Sequence, residues 1–311
     1  MARGKKDMDE NDSGLRLDRI KPATNVFFNA WFALLSFIII VPFIFVIMIS
    51  ISSTKSIAEH GYQLWPSEFS LAAYAYLWGE RVTILRSLGV SVIVVVLGTV
   101  LALLLNSSLG YVLSRKSYKL RGFLVWLAFI PMIFNGGMVA SYVVNANLLH
   151  LRNTIWILIL PICASPFNII ICRTFFQHTI PDSVVESAVI DGSSQLRIYA
   201  QMILPLSKPV LATIALFTAF GYWNDWFFAS LYIADKNLLT LQALLNNIQR
   251  SIDFIVNNPT LGVSLMAYKA SMPSEAVRMA ITIIVIVPIA MAYPFFQRYF
   301  ISGLTIGSVK G

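Results

Sequence analysis

Polar and apolar positions along the chain sort into long apolar runs separated by short polar islands. About 20 apolar residues in helix cover the roughly 30 Å hydrocarbon core of a bilayer. Runs suited to that role occupy 26–51, 87–113, 122–133 with an extension to 144, 154–176, 209–233 and 278–300. The pattern therefore predicts an all-α polytopic membrane protein with six transmembrane helices. Pro42, Pro131, Pro161, Pro166, Pro288 and Pro294 fall inside these runs, and Gly136-Gly137 interrupts the third. Each removes or strains a helical hydrogen bond. Such breaks are tolerated at membrane depth where the freed groups face protein or water. The polar and aromatic stretch 52–85 contains Trp65-Pro66 and several Tyr and Trp, residues that favour the headgroup interface. A second long polar segment, 234–274, contains QALLNNIQ, which reads as a helix, and NNPTLG, which reads as a turn.

Charge orients this array. Arg115, Lys116, Lys119 and Arg121 crowd the connection between the second and third runs, and Arg173, Arg197, Lys208 and Arg298 mark further ends. Basic residues concentrate in cytoplasmic connections, so both termini are expected inside and the segments 52–85 and 234–274 outside. The expected organisation is a cytoplasmic tail over 1–24, a transmembrane domain over 25–300, and a cytoplasmic tail over 301–311. The first 21 residues are too long and too acidic for the n-region of a signal peptide.

Composition narrows the possible functions. The chain is 57% hydrophobic and only 12% charged, against about 25% charged in soluble domains, and its mean hydropathy is +0.73. The net charge of +8 is dispersed at the ends of apolar runs, so nucleic acid is not an expected partner. Cys163 and Cys172 lie in one run and read as small buried apolar residues. His60, His150 and His178 have no metal-ligand spacing. There is no GxxxxGK[ST] phosphate cradle and no catalytic constellation. No enzyme activity, resident cofactor or metal is expected of this chain.

The polar island 180–205, IPDSVVESAVIDGSSQLRIYAQMILP, stands apart. Pro181 suits a helix start, and Ser183 and Glu186 have capping-box spacing. Val184, Val185, Ala188 and Val189 form one helical face, and Gly192 is placed to end the helix in a left-handed conformation. Ser193 or Ser194 can cap a second helix with Leu196, Tyr199, Met202 and Ile203 on one side, and Pro205 is placed to stop it. Two short helices joined at a tight turn are expected.

Glu186-Ser187-Ala188, then Gly192 after three residues, then Met202-Ile203-Leu204-Pro205 after nine more resembles the EAA loop of bacterial ABC-importer permeases. Ser187 stands where that pattern has alanine, and Met202 where it has isoleucine. The six-run layout and the terminal GLTIGSVKG are similar to the carbohydrate-uptake, maltose-type branch. The stretch FGYWNDWFFASLYI after the island resembles its oligosaccharide and polysaccharide permeases. The resemblance implies a type I importer permease fold and a chain that forms the pore of an ATP-driven, binding-protein-dependent sugar importer of the bacterial cytoplasmic membrane. It implies four kinds of companion: a homologous second permease, two ATP-binding cassette subunits that hold ATP and magnesium, an extracytoplasmic solute-binding protein, and the sugar. It assigns Asp182, Glu186, Ser187, Ala188, Asp191, Gly192, Leu204 and Pro205 to ATPase coupling. It also puts Gly307, Ser308, Val309 and Lys310 of the tail at the interface between the ATPases.

Asp225 is the one charged residue well inside a predicted span, and an ionisable group at that depth is a functional candidate. Tyr222, Trp223, Asn224, Asp225 and Trp226 together supply aromatic faces, an amide and a carboxylate, the groups that hold sugars. At helical spacing Tyr222 shares a face with Trp226, and Trp223 with Phe227. They are the candidate substrate pathway; the bland alternative is an aromatic belt with Asp225 held by a neighbouring span. Two other readings stay open. A permease for a non-sugar solute would carry the same coupling island. A stand-alone secondary transporter would be expected to carry embedded ion ligands, which the runs lack.

Overall fold

The computed structural model describes residues 22–257 and 274–308. The N-terminal tail up to residue 21, most of the expected NNPTLG turn, and Val309 and Lys310 of the tail lie outside the described residues. Every regular element is a helix, and the described residues hold no β-strand beyond one isolated bridge between Ser52 and Phe69. They divide into two compact units, 22–74 with 274–280 and 75–257 with 281–308.

In the first unit, α1 (Pro22–Ser50) runs unbroken through Pro42 and exposes nearly its whole apolar surface, as a lipid-facing helix does. The expected outer loop is more ordered than its polar sequence implies, because it folds α2 (Thr54–His60). Ser53 caps α2: its Oγ accepts from the Ser56 amide at 3.0 Å and donates to the Glu68 carboxylate at 2.9 Å. The Tyr62 hydroxyl donates to Glu275 at 3.0 Å, and Glu275 pairs with Arg278 at 2.9 Å.

The second unit begins within α3 (Ala72–Gly79) and is built on α4 (Arg81–Ser114). After α4 come α5 (Arg121–Ile133), α6 (Gly137–Val143), α7 (Trp156–Cys163), α8 (Pro166–Thr179), α9 (Asp182–Ile190) and α10 (Gln195–Leu206). Then follow α11 (Lys208–Asn224), α12 (Phe227–Tyr232), α13 (Leu241–Asn257) and α14 (Ser274–Ser308). α1, α4 and α14 are each long and apolar enough to cross a membrane. α7 and α8 form a pair bent by 47°, and α10 and α11 a pair bent by 81°. The third run is broken at Gly136-Gly137, with Gly137 at a φ of +81°, whereas Pro131 lies inside α5 and does not interrupt it. The fifth run is not continuous: it stops at Asn224 and resumes at Phe227.

α4 shows why the bundle holds. Its buried face carries Gly98, Ala102, Asn106, Gly110 and Ser114 at every fourth position, and α7, α8 and α11 pack on that helix. Its exposed face carries Val92, Val96, Val100 and Leu104. Small residues inside and large apolar residues outside is the arrangement of helices in lipid, where close backbone approach replaces the hydrophobic drive. Asn106, completely buried, pins the bend between α7 and α8. Its amide donates to the Cys163 carbonyl at 2.9 Å and accepts from the Ser165 N–H at 3.0 Å, taking up the backbone groups freed where Pro166 starts α8. Asn106→Leu keeps the volume and leaves both groups unpaired, at a cost of about 1–3 kcal/mol each. The expected result is a marked drop in the thermal unfolding midpoint in detergent; an unchanged midpoint would remove the pin from this account.

Candidate functional site

The island 180–205 folds as a helical elbow. α9 ends at Ile190 and Gly192 adopts φ +77°. The Ser193 N–H donates to the Ala188 carbonyl and the Gly192 N–H to the Val189 carbonyl, both at 3.0 Å. That pair of bonds closes the helix end and needs the left-handed residue between. Ser194 caps α10, its Oγ accepting from the Arg197 N–H at 3.3 Å.

Four local expectations are corrected. The capping box does not form, because α9 starts two residues earlier: Pro181 takes the N-cap position and Ser183 lies inside the helix. Val189 is largely exposed rather than part of the packed face, which rests on Val185 and Ala188. Leu196 is 76% exposed, whereas Ile198 is buried. A π-helical turn at Tyr199–Ile203 widens the spiral and changes which residues face inward. Pro205 does not stop the helix at its own position, since the helix runs on through the π turn to Leu206. The chain turns at Ser207 instead.

The C-terminal end of α4 grips this elbow. Ser107 Oγ and the Tyr199 hydroxyl are 2.6 Å apart, and the Tyr111 hydroxyl donates to Gln195 Oε1 at 3.2 Å. Arg115, nearly buried, donates from Nη1 to the Asp182 carboxylate at 3.0 Å and from Nη2 to the Phe176 carbonyl at 3.3 Å. Its guanidinium also lies 5.3 Å over the Tyr111 ring. Buried Phe176, Ile180, Val185, Ala188, Ile198 and Ile203 form the core beneath. Facing outward are Glu186, Ser187, Asp191 and Gly192, with Ile190 85% exposed. Leu204 is half-buried and Pro205 exposed. The elbow is thus clamped on one side and presents carboxylates and bare apolar side chains on the other.

Arg115 was legible only as a marker of orientation; its role as a strut depends on where α9 starts. Ser107, Tyr111 and Asn106 were missed. The available signal for Asn106 was an amide in a long apolar run, which must find partners within the protein.

The second candidate group is split by the helix break. Tyr222 is buried, its hydroxyl donating to the Ile159 carbonyl at 2.8 Å and its ring pressed on Gly98. Trp223 is buried beside an apolar groove. Asn224 is exposed, and its amide donates to the Phe220 carbonyl at 3.0 Å. Asp225 sits in the break and not mid-helix: its Oδ1 accepts from the Phe228 N–H at 3.3 Å, at the start of α12. Trp226 faces outward, with the Arg250 guanidinium 5.3 Å over its ring. The pairings expected for a continuous helix, Tyr222 with Trp226 and Trp223 with Phe227, are therefore absent.

Comparison with known proteins adds to this geometry. Residues 94–306 match the family described as binding-protein-dependent transport system inner membrane component. The chain is 39% identical over 274 residues to protein LplC of Bacillus subtilis (strain 168), covering 88% of this chain and 90% of LplC. It is also 39% identical over 275 residues to the polygalacturonan/rhamnogalacturonan transport system permease protein YtcP of that strain, covering 88% of this chain and 93% of YtcP. Among solved structures it is similar to a chain of a bacterial ABC transporter involved in the import of the acidic polysaccharide alginate. The TM-score is 0.75 at 25% identity, over 91% of this chain and 99% of that one.

Proposed function

This chain belongs to the family of binding-protein-dependent transport system inner membrane components, and from that membership we propose that it is the pore-forming permease of an ATP-driven oligo- or polysaccharide importer. The observation that carries the reading is the elbow: a rigid, capped turn clamped to a membrane-length helix, with Glu186, Asp191 and Ile190 left facing outward. Such a part suits a groove in a separate motor. The relatives add the cargo class, since YtcP is named for pectic polymers and the solved structure for alginate.

The working assembly is this chain with a homologous second permease, two ATP-binding cassette subunits and an external solute-binding protein. It lies in the bacterial inner membrane with six spans and both ends inside. The cytoplasmic tail is 1–24, the transmembrane domain 25–300 and the terminal tail 301–311. ATP and magnesium belong to the partner subunits. Closure of the ATPases pushes on Glu186 and its neighbours, the push reaches α4 through Arg115, Tyr111 and Ser107, and the cavity turns outward by rigid-body rocking. The residues from Gly307 to Lys310 reach the ATPase interface, and Asn224, Asp225 and Trp226 border the sugar path. Tyr222 and Trp223 support that path from within the core.

Reconstitution of the five-part assembly in liposomes tests the proposal. Uptake of labelled oligosaccharide is expected to require ATP, the binding protein and this chain together. Solute movement by this chain alone, with no nucleotide, would refute it.

A further inference from the structure

α13 carries a polar stripe, Gln242, Asn246, Gln249 and Asp253, that borders a cleft of about 320 Å³. The other walls are Leu245 and Arg250 of the same helix, Ile281, Thr282 and Val285 of α14, and Trp226 beside the helix break. Gln242, Asn246 and Asp253 are each half-buried there. A stripe of amides turned onto another element is unusual, because polar groups lose hydration when covered and need partners in return. A ligand rich in hydroxyls supplies them. Small-molecule sites are concave, partly apolar, and furnished with a few polar groups that fix orientation. This cleft has all three: an aliphatic floor, an indole for the C–H face of a sugar ring, and amides on one side.

Arg250 adds the discriminating feature. It lines the same cleft, and its guanidinium lies 5.3 Å over the Trp226 ring. Stacking holds the planar fork over one face of the indole, within the cleft. Such a fork matches a carboxylate with two parallel hydrogen bonds. Asp253 also borders the cleft. We propose that this cleft is a subsite for one acidic sugar residue, a uronate, with Trp226 as the platform, Arg250 as the carboxylate clamp and the α13 amides reading the hydroxyls. The proposal rests on the importer reading above and adds the place and the charge of the cargo.

The test uses the assembled complex with trigalacturonate and neutral galactotriose as probes. Binding is measured in nanodiscs and ATP-dependent uptake in liposomes, at equal recovery of intact complex. Arg250→Gln is expected to weaken trigalacturonate binding about tenfold or more and to change galactotriose binding by less than about threefold. Arg250→Lys keeps the charge without the fork and is expected to fall between wild type and Arg250→Gln. Trp226→Ala is expected to weaken both probes, since stacking serves either sugar. Equal effects of Arg250→Gln on the two probes, no effect of either substitution, or no binding of trigalacturonate to the wild type would each overturn the subsite. Uptake that both substitutions leave unchanged sinks the subsite and keeps the importer. Binding with the expected selectivity but no ATP-dependent uptake sinks the importer and keeps the subsite.

Discussion

Gly110→Leu is expected to eliminate recoverable, properly folded protein. A Cβ placed on Gly110 would lie 2.4 Å from the Cys172 Cβ, 3.0 Å from the Arg173 backbone nitrogen and 3.1 Å from the Ile169 carbonyl oxygen. Two of these three atoms are backbone of α8, so no rotamer change clears the way. α4 and α8 would have to part, and they form the pair from which the elbow hangs. Overpacking in a tight core costs about 1–3 kcal/mol even where side chains can yield; here the backbone must move, and a leucine adds three more carbons. The contrast with Gly98 is instructive, because a Cβ there meets only the ring of Tyr222. The measurement is the yield of monodisperse protein after extraction, with the thermal midpoint of what survives. Near-normal yield and midpoint for Gly110→Leu would show that α4 and α8 are not in the close contact described.

The second large effect separates folding from coupling. Glu186 is exposed, whereas Asp182 on the same helix is tied to Arg115 within the chain. Glu186→Lys therefore removes nothing that holds this protein together. It should insert, assemble at normal yield and unfold at the normal temperature. Its ATP-driven uptake should nevertheless collapse. A carboxylate that becomes buried against a basic groove, then has its charge reversed, loses about 3–5 kcal/mol of coupling, or roughly two orders of magnitude or more at 1.4 kcal/mol per tenfold. Uptake and binding-protein-stimulated ATP hydrolysis are the readouts. Normal uptake by this variant would reject Glu186 as the point of coupling. Gly192→Val attacks the same part by another route: space is open around the position, but φ of +77° resists a branched side chain.

The architecture was readable wherever it follows from the length and polarity of a run. The long helices, the break at Gly136-Gly137, the left-handed Gly192 and the helix over QALLNNIQ are all present. Exact breaks were not readable where two local preferences compete. Pro205 signals a stop in isolation, but the helix carries through a π turn and past it to Leu206, and the chain turns at Ser207. Asp225 looks like a charge stranded in a span until the helix is seen to stop before it, where its carboxylate accepts from the Phe228 N–H at the start of α12. Side-chain partners far apart in sequence, such as Ser107 with Tyr199 or Asn106 with Ser165, leave no trace in periodicity. They arise from how helices are stacked. The cleft beside Trp226 was half visible, since the aromatic cluster stood out but QALLNNIQ read only as a helix in a polar segment.

The two sharp bends flanking the elbow are not equally stiff. At the first, Asn106 cross-ties both sides of the joint to α4. At the second, the Ser207 N–H donates to the Ile203 and Leu204 carbonyls and its carbonyl accepts from the Leu211 N–H, all local backbone bonds, while its buried hydroxyl has no hydrogen-bond partner among the described residues. A push at Gly192 is therefore expected to meet a corner cross-tied to α4 upstream and one held by local bonds alone downstream, so α11 should swing more than α8.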